Sequence, residues 1–261
     1  MPDSKPTLWA TGRYEAVAER IASIAAEVVA AVDRRKTVRD AAVIDLACGT
    51  GSAALAAAGA GARVTGVDLT AELVDIAAAR PGADAVTWVV ADAADTGLPD
   101  AGFDAAVSNM GIIFVEPESL LGEVARLVRP GGVFGFSSWI RDDAGNPFYN
   151  PIVETLGQPP ASGYSPDQWG EPDVVAARLA AAFDGIEIEK RVHTWQFDSL
   201  PAALHFLKHE SPMHVDLLHN LEDPQRTQLV QAFERAFGEH TDSAGRVSFP
   251  SPYLVATARR T

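Results

Sequence analysis

Cysteine is almost missing from this chain: Cys48 is the only one in 261 residues. One thiol can form neither an internal disulfide nor a multi-thiolate metal site, which excludes a stapled secreted framework and fits a reducing compartment. Basic residues are also scarce, 21 against 35 acidic ones, for a formal charge of −14. That balance repels phosphate backbones and anionic lipid, and no Lys/Arg run offsets it locally, so nucleic acid is not an expected partner. No run of about 18 apolar residues occurs, which excludes a helical membrane span. Residues 1–11 contain no basic stretch leading into an apolar one, so cytoplasm is the expected address. What remains is ordinary core material, 47% hydrophobic and 21% charged, enough for a large domain that folds without staples.

Periodicity divides the chain into alternating elements. Val17, Ile21, Ile24, Val28 and Val32 fall at helical spacing and predict one helix over residues 14–32. Short apolar runs at 43–46, 63–67, 86–90, 103–108 and 132–138 predict strands, with helices at 52–58, 71–79 and 117–127 between them. Residues 141–172 are rich in Pro, Gly, Asn and Asp, include the pair Pro159 and Pro160, and read as an irregular excursion. A helix at 173–183, an alternating strand at 186–197, helices at 200–208 and 224–237 and a strand at 253–258 follow. Strands alternating with helices imply an α/β fold: a doubly wound, mostly parallel, seven-stranded Rossmann-like sheet with an antiparallel last strand and helical lid segments. The expectation is a single domain over 1–261, its core at about 40–140, 173–197 and 246–261 and its lids at about 1–32, 141–172 and 198–245.

The candidate site begins where the first strand ends, at Asp45-Leu46-Ala47-Cys48-Gly49-Thr50-Gly51. Glycines between strand and helix let the backbone turn sharply and approach a ligand, and the following helix start points N–H groups at it. The spacing Gly49-x-Gly51-x-x-Ala54 also fits a nicotinamide dinucleotide fingerprint with Asp68 as the ribose acid, so NAD(P) is an alternative cofactor and an oxidoreductase an alternative activity. The acids at successive strand ends separate the two. Asp68 can accept both hydroxyl hydrogens of a ribose; Asp92 can accept from an adenine amino group while the Ala93 N–H donates to a ring nitrogen; Asp45 places negative charge where a cation would sit. The loop itself carries no Lys or Arg for phosphate, and three acids suit a diol, an amine and a sulfonium better than a pyrophosphate.

At this point the sequence resembles the class I S-adenosylmethionine-dependent methyltransferases, in particular the group similar to ubiquinone and menaquinone biosynthesis enzymes. The segments that carry the likeness are residues 43–51, Gly66-Val67-Asp68, Ala91-Asp92-Ala93, residues 98–105 (LPDAGFDA) and residues 127–132 (LVRPGG). The resemblance implies methyl transfer to a small-molecule acceptor at an O, C or N atom, with S-adenosylhomocysteine as product; a non-catalytic S-adenosylmethionine-binding protein is the non-enzymatic alternative. It places the methionine end of the cofactor at Asp45, Ala47, Gly49 and Gly51, the ribose on Asp68, the adenine against Leu69 and beside Asp92 and Ala93, and Asn109 near the methionine ammonium. Tyr14, in a segment that such enzymes use as a cover, is implied as a partner of the cofactor carboxylate, or else packs with Trp9 to staple the helix. Arg129-Pro130-Gly131-Gly132 reads as a structural turn.

Transfer from a sulfonium needs alignment and exclusion of water more than a dedicated base. If a base is used, His205, His209 and His214 are the candidates, the first two four residues apart and on one helical face. No third ligand has a recognisable spacing, so no metal is expected. Phe114, Trp139 and Tyr149 are candidate walls of the acceptor pocket, with Trp195, Phe197 and Phe206 pointing the same way; together they suggest an apolar or aromatic acceptor.

Overall fold

The computed structural model describes residues 7–141, 145–158 and 163–261. In chain order its regular elements are α1 (Tyr14–Arg20), α2 (Ala22–Arg35), β1 (Ala42–Leu46), α3 (Ser52–Gly59), β2 (Arg63–Asp68), α4 (Ala71–Ala78), β3 (Val86–Val90), β4 (Phe103–Asn109), α5 (Pro117–Leu127) and β5 (Val128–Trp139). They continue with α6 (Asn150–Leu156), α7 (Pro172–Leu179), β6 (Phe183–Phe197), α8 (Leu200–His205), α9 (Pro212–Asn220), α10 (Asp223–Glu239) and β7 (Val247–Arg260). The seven strands form one sheet in the order β3-β2-β1-β4-β5-β7-β6. β1 pairs parallel with β2 and β4, β2 with β3, and β4 with β5, whereas β7 runs antiparallel to β5. This is the doubly wound sheet with an antiparallel last strand that the alternation implied. β7 lies inside the sheet and β6 on its edge, which matches their side chains: residues 253–258 of β7 are buried, while β6 alternates between covered and exposed positions.

The chain folds into two compact units, one made of Ile21–Ile140, Gly163–Arg191 and Tyr253–Thr261, the other of Met1–Arg20, Arg141–Ser162 and Val192–Pro252. The pair Pro159 and Pro160 lies outside the described residues. The first, or sheet, unit contains the parallel strands. α2 packs on β4, β5 and α3; Val28 and Val32 are fully buried, and Gly135 on β5 leaves the space that Val32 fills. Residues 22–32, expected as lid, are therefore part of the sheet unit's core. The helix expected over 14–32 is broken at Ile21, which sits at φ −105°, ψ 9°. The break falls where the packing partner changes, because α1 contacts the turn at Phe206–Glu210 and α2 contacts the sheet.

The second unit has its own core, an aromatic cluster around Phe148, whose ring lies 5.0 Å from Trp195, 5.1 Å from Phe249 and 5.8 Å from Phe237. Trp195, Phe197 and Phe206 belong to this cluster at 6%, 5% and 2% exposure. They serve its packing, so they lend no support to an apolar or aromatic acceptor. Its N-terminal segment is tied down by the Arg13 amide donating to the Glu210 carbonyl at 2.8 Å and by the Arg13–Glu210 ion pair at 3.0 Å. Two helices here, α6 and α9, and the turn Pro166–Gly170 of the sheet unit had no clear counterpart in the periodicity. Each opens on a proline in its first turn, a position where the missing N–H costs nothing.

Candidate active site

The strand ends of the sheet unit bring most of the sequence-predicted residues to one edge. β1 and β2 run parallel with Asp45 beside Gly66, so the loop after Asp45 and the turn after Asp68 meet. The Cys48 amide donates to the Val67 carbonyl at 2.9 Å and the Gly49 amide to the Asp68 carboxylate at 2.7 Å. The other Asp68 oxygen accepts from the Thr70 amide at 2.9 Å. Asp68 thus organises the glycine loop, and each of its oxygens still has acceptor capacity for a hydroxyl. Burial pushes its carboxyl above the ordinary range, against the pull of the Thr70 and Gly49 amides.

Sharp reversals shape this edge. Ala47, Gly49, Gly51 and Met110 all take positive φ, at 51°, 54°, 81° and 59°. For Ala47 and Met110 that conformation costs about 1–2 kcal/mol each, stored where β1 and β4 end. Gly111 is required by proximity: a Cβ there would stand 2.2 Å from the Ala47 carbonyl oxygen. Beneath the loop, the Trp88 ring fills the space that side chains at Gly51 and Gly66 would need, coming within 2.4 Å and 2.6 Å of such Cβ positions. Its indole N–H is anchored on the Ala83 carbonyl at 3.1 Å. A cation also reaches the loop, contrary to what the loop sequence alone shows: Arg80 donates to the Thr50 carbonyl at 2.7 Å. Trp88 and Arg80 were not singled out by sequence reasoning. Each lies outside the glycine segment, and only the fold brings them to it.

Asp45 is 1% exposed. One carboxyl oxygen accepts from the Ala54 amide of α3 at 2.7 Å and the other has no hydrogen-bond partner. Burial, opposed by the Ala54 bond and reinforced by nearby Asp68, pushes its carboxyl up to about 8. The hydroxyl of Thr50 is likewise buried without a partner. Orphaned polar atoms of this kind call for a ligand that supplies the missing partner. Cys48 is buried, and burial together with Asp45 and Asp68 holds its thiol protonated and inert.

Leu69 is 59% exposed, a large apolar side chain left uncovered just past Asp68. Asp92 is exposed, with one carboxyl oxygen accepting from the Ala94 amide at 2.9 Å, and Ala93 is buried beside it. Asn109 is held by the Ser137 hydroxyl, which donates to its side-chain oxygen at 2.8 Å. The Met110 amide donates in turn to that hydroxyl at 3.2 Å, and the Ser108 hydroxyl ties β4 to the Leu46 carbonyl at 2.7 Å. Phe114 follows β4 and its carbonyl accepts from the Tyr164 hydroxyl at 3.0 Å, while Trp139 ends β5 against Tyr253, rings 6.2 Å apart.

The later matching segments are structural. Arg126 gathers the Leu98 carbonyl and Asp100, both at 2.6 Å, with Glu123 at 2.7 Å. Burial works against the Glu123 charge, but Arg126 and Thr96 hold its carboxyl down at about 2. Asp104 caps the Ala42 amide at 2.9 Å and pairs with Arg129 at 2.7 Å. Gly131, at φ 76°, provides the reversal expected of that turn.

Tyr14, Tyr149 and the three histidines belong to the second unit. Tyr14 meets Trp9 edge to face at 6.0 Å, and Arg141 covers the Tyr149 ring at 4.3 Å. His205 and His209 are exposed with rings 4.8 Å apart. Among the described residues no group of three metal-ligating side chains occurs. His214 is packed between Phe148 and Phe233, its Nδ1 bonded to the Ser211 hydroxyl at 2.7 Å and its Nε2 to the Phe148 carbonyl at 3.3 Å. Both nitrogens are engaged, and burial pushes its ring down to about 4; it is a half-buried histidine with both bonds satisfied.

The chain matches the methyltransferase domain family over residues 44–136. An uncharacterized protein of Mycobacterium tuberculosis is 30% identical over 210 residues, 77% of this chain and 74% of that one. A ubiquinone/menaquinone biosynthesis C-methyltransferase of Rubrivivax gelatinosus is 38% identical over 136 residues, 47% of this chain and 52% of the relative. The solved structure of the YcgJ protein of Bacillus subtilis shares the fold at a TM-score of 0.59 and 17% identity, covering 92% of this chain and 99% of that one. Geranyl diphosphate C-methyltransferase of Streptomyces coelicolor, solved with Mg2+, geranyl diphosphate and S-adenosylhomocysteine, shares it at 0.51 and 18% identity, covering 95% and 82%. The chain belongs to the class I S-adenosylmethionine-dependent methyltransferases. Among the described residues no helix is long and apolar enough to cross a membrane.

Proposed function

We propose that the strand ends of the sheet unit hold S-adenosylmethionine and that the chain passes its methyl group to a small organic acceptor. The observation that carries this reading is the pair of buried, unpartnered polar atoms in the glycine loop, on Asp45 and Thr50. In this reading Asp45, Ala47, Gly49 and Gly51 surround the methionine end and Asp68 accepts from the ribose hydroxyls. Leu69 covers the adenine face, Asp92 and Ala93 read its edge, and Asn109 turns its amide toward the methionine ammonium. When bound, the cofactor supplies a methyl group activated by a sulfonium. The protein's share is to align that group with the acceptor and keep water away.

The acceptor we favour is an acidic phenol or an activated carbon acid with an apolar or aromatic body. His214 has both ring nitrogens bonded and His205 and His209 lie exposed, so none of the three is set up as a buried base, and an acceptor that gives up its proton easily needs none. Phe114 and Trp139 would contact its apolar part. The relatives named for C-methylation are in keeping with a carbon acceptor. Calorimetry with S-adenosylhomocysteine and with NAD tests the cofactor, and binding of NAD alone would overturn the reading. A radiolabelled methyl-transfer screen of phenols, carbon acids, alcohols and amines tests the acceptor; transfer only to alcohols or amines would sink the proposed class.

A further inference from the structure

Asp45 is enclosed without a counter-charge. At 1% exposure it keeps one donor, the Ala54 amide at 2.7 Å, for two carboxyl oxygens. The titratable groups that face it are the Asp68 carboxyl, from the end of β2, and the Cys48 thiol in its own loop. β4 presents Val107 in register with it, and α3 contributes the Ala54 amide. The guanidinium of Arg80 is engaged by the Thr50 carbonyl at 2.7 Å and the Ser52 hydroxyl at 3.4 Å. Burying a carboxylate with a single amide donor and a second acid beside it costs far more than burying the neutral acid, even with the acid's hydroxyl unpaired. Burial and Asp68 both act in that direction, raising the carboxyl to about 8.

Resting on the reading that this loop takes S-adenosylmethionine, we infer that Asp45 is a neutral acid in the ligand-free protein and loses its proton when a cationic centre of the cofactor enters, so that cofactor binding releases a proton. The O–H bond of the carboxyl breaks, its electron pair stays on Asp45 as the carboxylate that faces the new cation, and the proton passes to the buffer. Two centres have the required chemistry. S-adenosylmethionine carries a sulfonium and an ammonium, and S-adenosylhomocysteine keeps only the ammonium.

Titration calorimetry at pH 7 in buffers of different ionisation enthalpy counts the protons. The ligands are S-adenosylmethionine, S-adenosylhomocysteine and methylthioadenosine, which carries neither charge. Release approaching one proton is expected with S-adenosylmethionine and none with methylthioadenosine. Release with S-adenosylhomocysteine assigns the effect to the ammonium, and its absence there assigns it to the sulfonium. Because the ligand selects the ionised fraction, its apparent affinity should rise about tenfold from pH 6 to pH 7, below the range where an α-ammonium itself titrates. The variant Asp45→Asn, which keeps an oxygen for the Ala54 amide, should bind with no proton exchange and a flat pH profile. Wild-type binding of S-adenosylmethionine without proton release overturns the inference, and that arm stands even if the variant does not fold. An unchanged release in Asp45→Asn also overturns it, placing the proton on Asp68. Failure of the wild type to bind either cofactor form would count instead against the cofactor reading.

Discussion

Replacing Gly111 by alanine tests the contact that shapes the site. Its backbone does not require glycine, since φ is −87° and ψ −49°, a region alanine favours. On conformational grounds alone the change would stabilise by about 0.4–1 kcal/mol through the unfolded chain. Sterically the balance reverses, because the new Cβ would meet the Ala47 oxygen at 2.2 Å, the Ala47 Cβ at 2.8 Å and the Ala47 carbonyl carbon at 3.1 Å. Two of these three are backbone atoms of a residue held at φ 51°, so no side-chain rotation relieves the clash. The loop or the strand end must shift by about 1 Å. Overpacking of this kind costs about 1–3 kcal/mol, which for a chain of this size lowers Tm by about 2–4 °C per kcal/mol. The loss of function should exceed the loss of stability, because a displacement of about 1 Å at a positioned group costs on the order of a hundredfold in rate. Thermal unfolding and S-adenosylhomocysteine calorimetry read the two effects. Gly122→Ala is the control, exposed in α5 with nothing within 4 Å, and should gain about 0.5–1 kcal/mol. Wild-type Tm and affinity in Gly111→Ala would refute the claim that β4 and the glycine loop are in hard contact.

Other outcomes follow from single interactions. Asp68→Asn leaves one of the Gly49 and Thr70 amides without an acceptor and should weaken S-adenosylhomocysteine binding by about 1–3 kcal/mol; unchanged affinity in calorimetry would remove Asp68 from the site. His214 has its folded pKa depressed to about 4 from 6.5, so the unfolded chain takes up the proton first. Stability is full above pH 6.5 and falls as pH drops toward 4, by about 3 kcal/mol on a scale of 1.36 kcal/mol per unit. Denaturant titrations of His214→Phe should lack that part of the pH dependence. Glu123→Ala removes a 7% exposed carboxylate from Arg126 and Thr96 and should cost about 1–3 kcal/mol in urea unfolding, Asp100 retaining part of the Arg126 charge.

The parallel sheet was legible because its strands are short apolar runs closed by glycine or acid, and the edge proposed for the cofactor was chosen because Asp45, Asp68 and Asp92 stand at the ends of consecutive strands. Of the second unit's helices, α8 and α10 were read at 200–208 and 224–237, but α6 and α9 were not. Proline stands in the first turn of both, where it fixes φ without losing a bond. In the sequence the same prolines look like loop punctuation, and residues 150–156 and 212–220 passed for connectors. The histidines misled for the opposite reason. Spacing puts His205 and His209 on one face, but only packing shows that they are exposed and that His214 is half-buried with both nitrogens occupied. Trp195, Phe197 and Phe206, offered in support of an apolar or aromatic acceptor, are accounted for by the cluster around Phe148.

The indole under the glycine loop has a practical use. Of five tryptophans, Trp88 alone has its ring edge against the Gly51 and Gly66 backbone, so its emission is governed by the shape of that loop. A variant keeping Trp88 while Trp9, Trp139, Trp169 and Trp195 become phenylalanine would carry a built-in fluorophore at the cofactor edge. Stopped flow on that variant, with unlabelled ligand and no acceptor present, would follow binding at that edge and separate cofactor capture from chemistry.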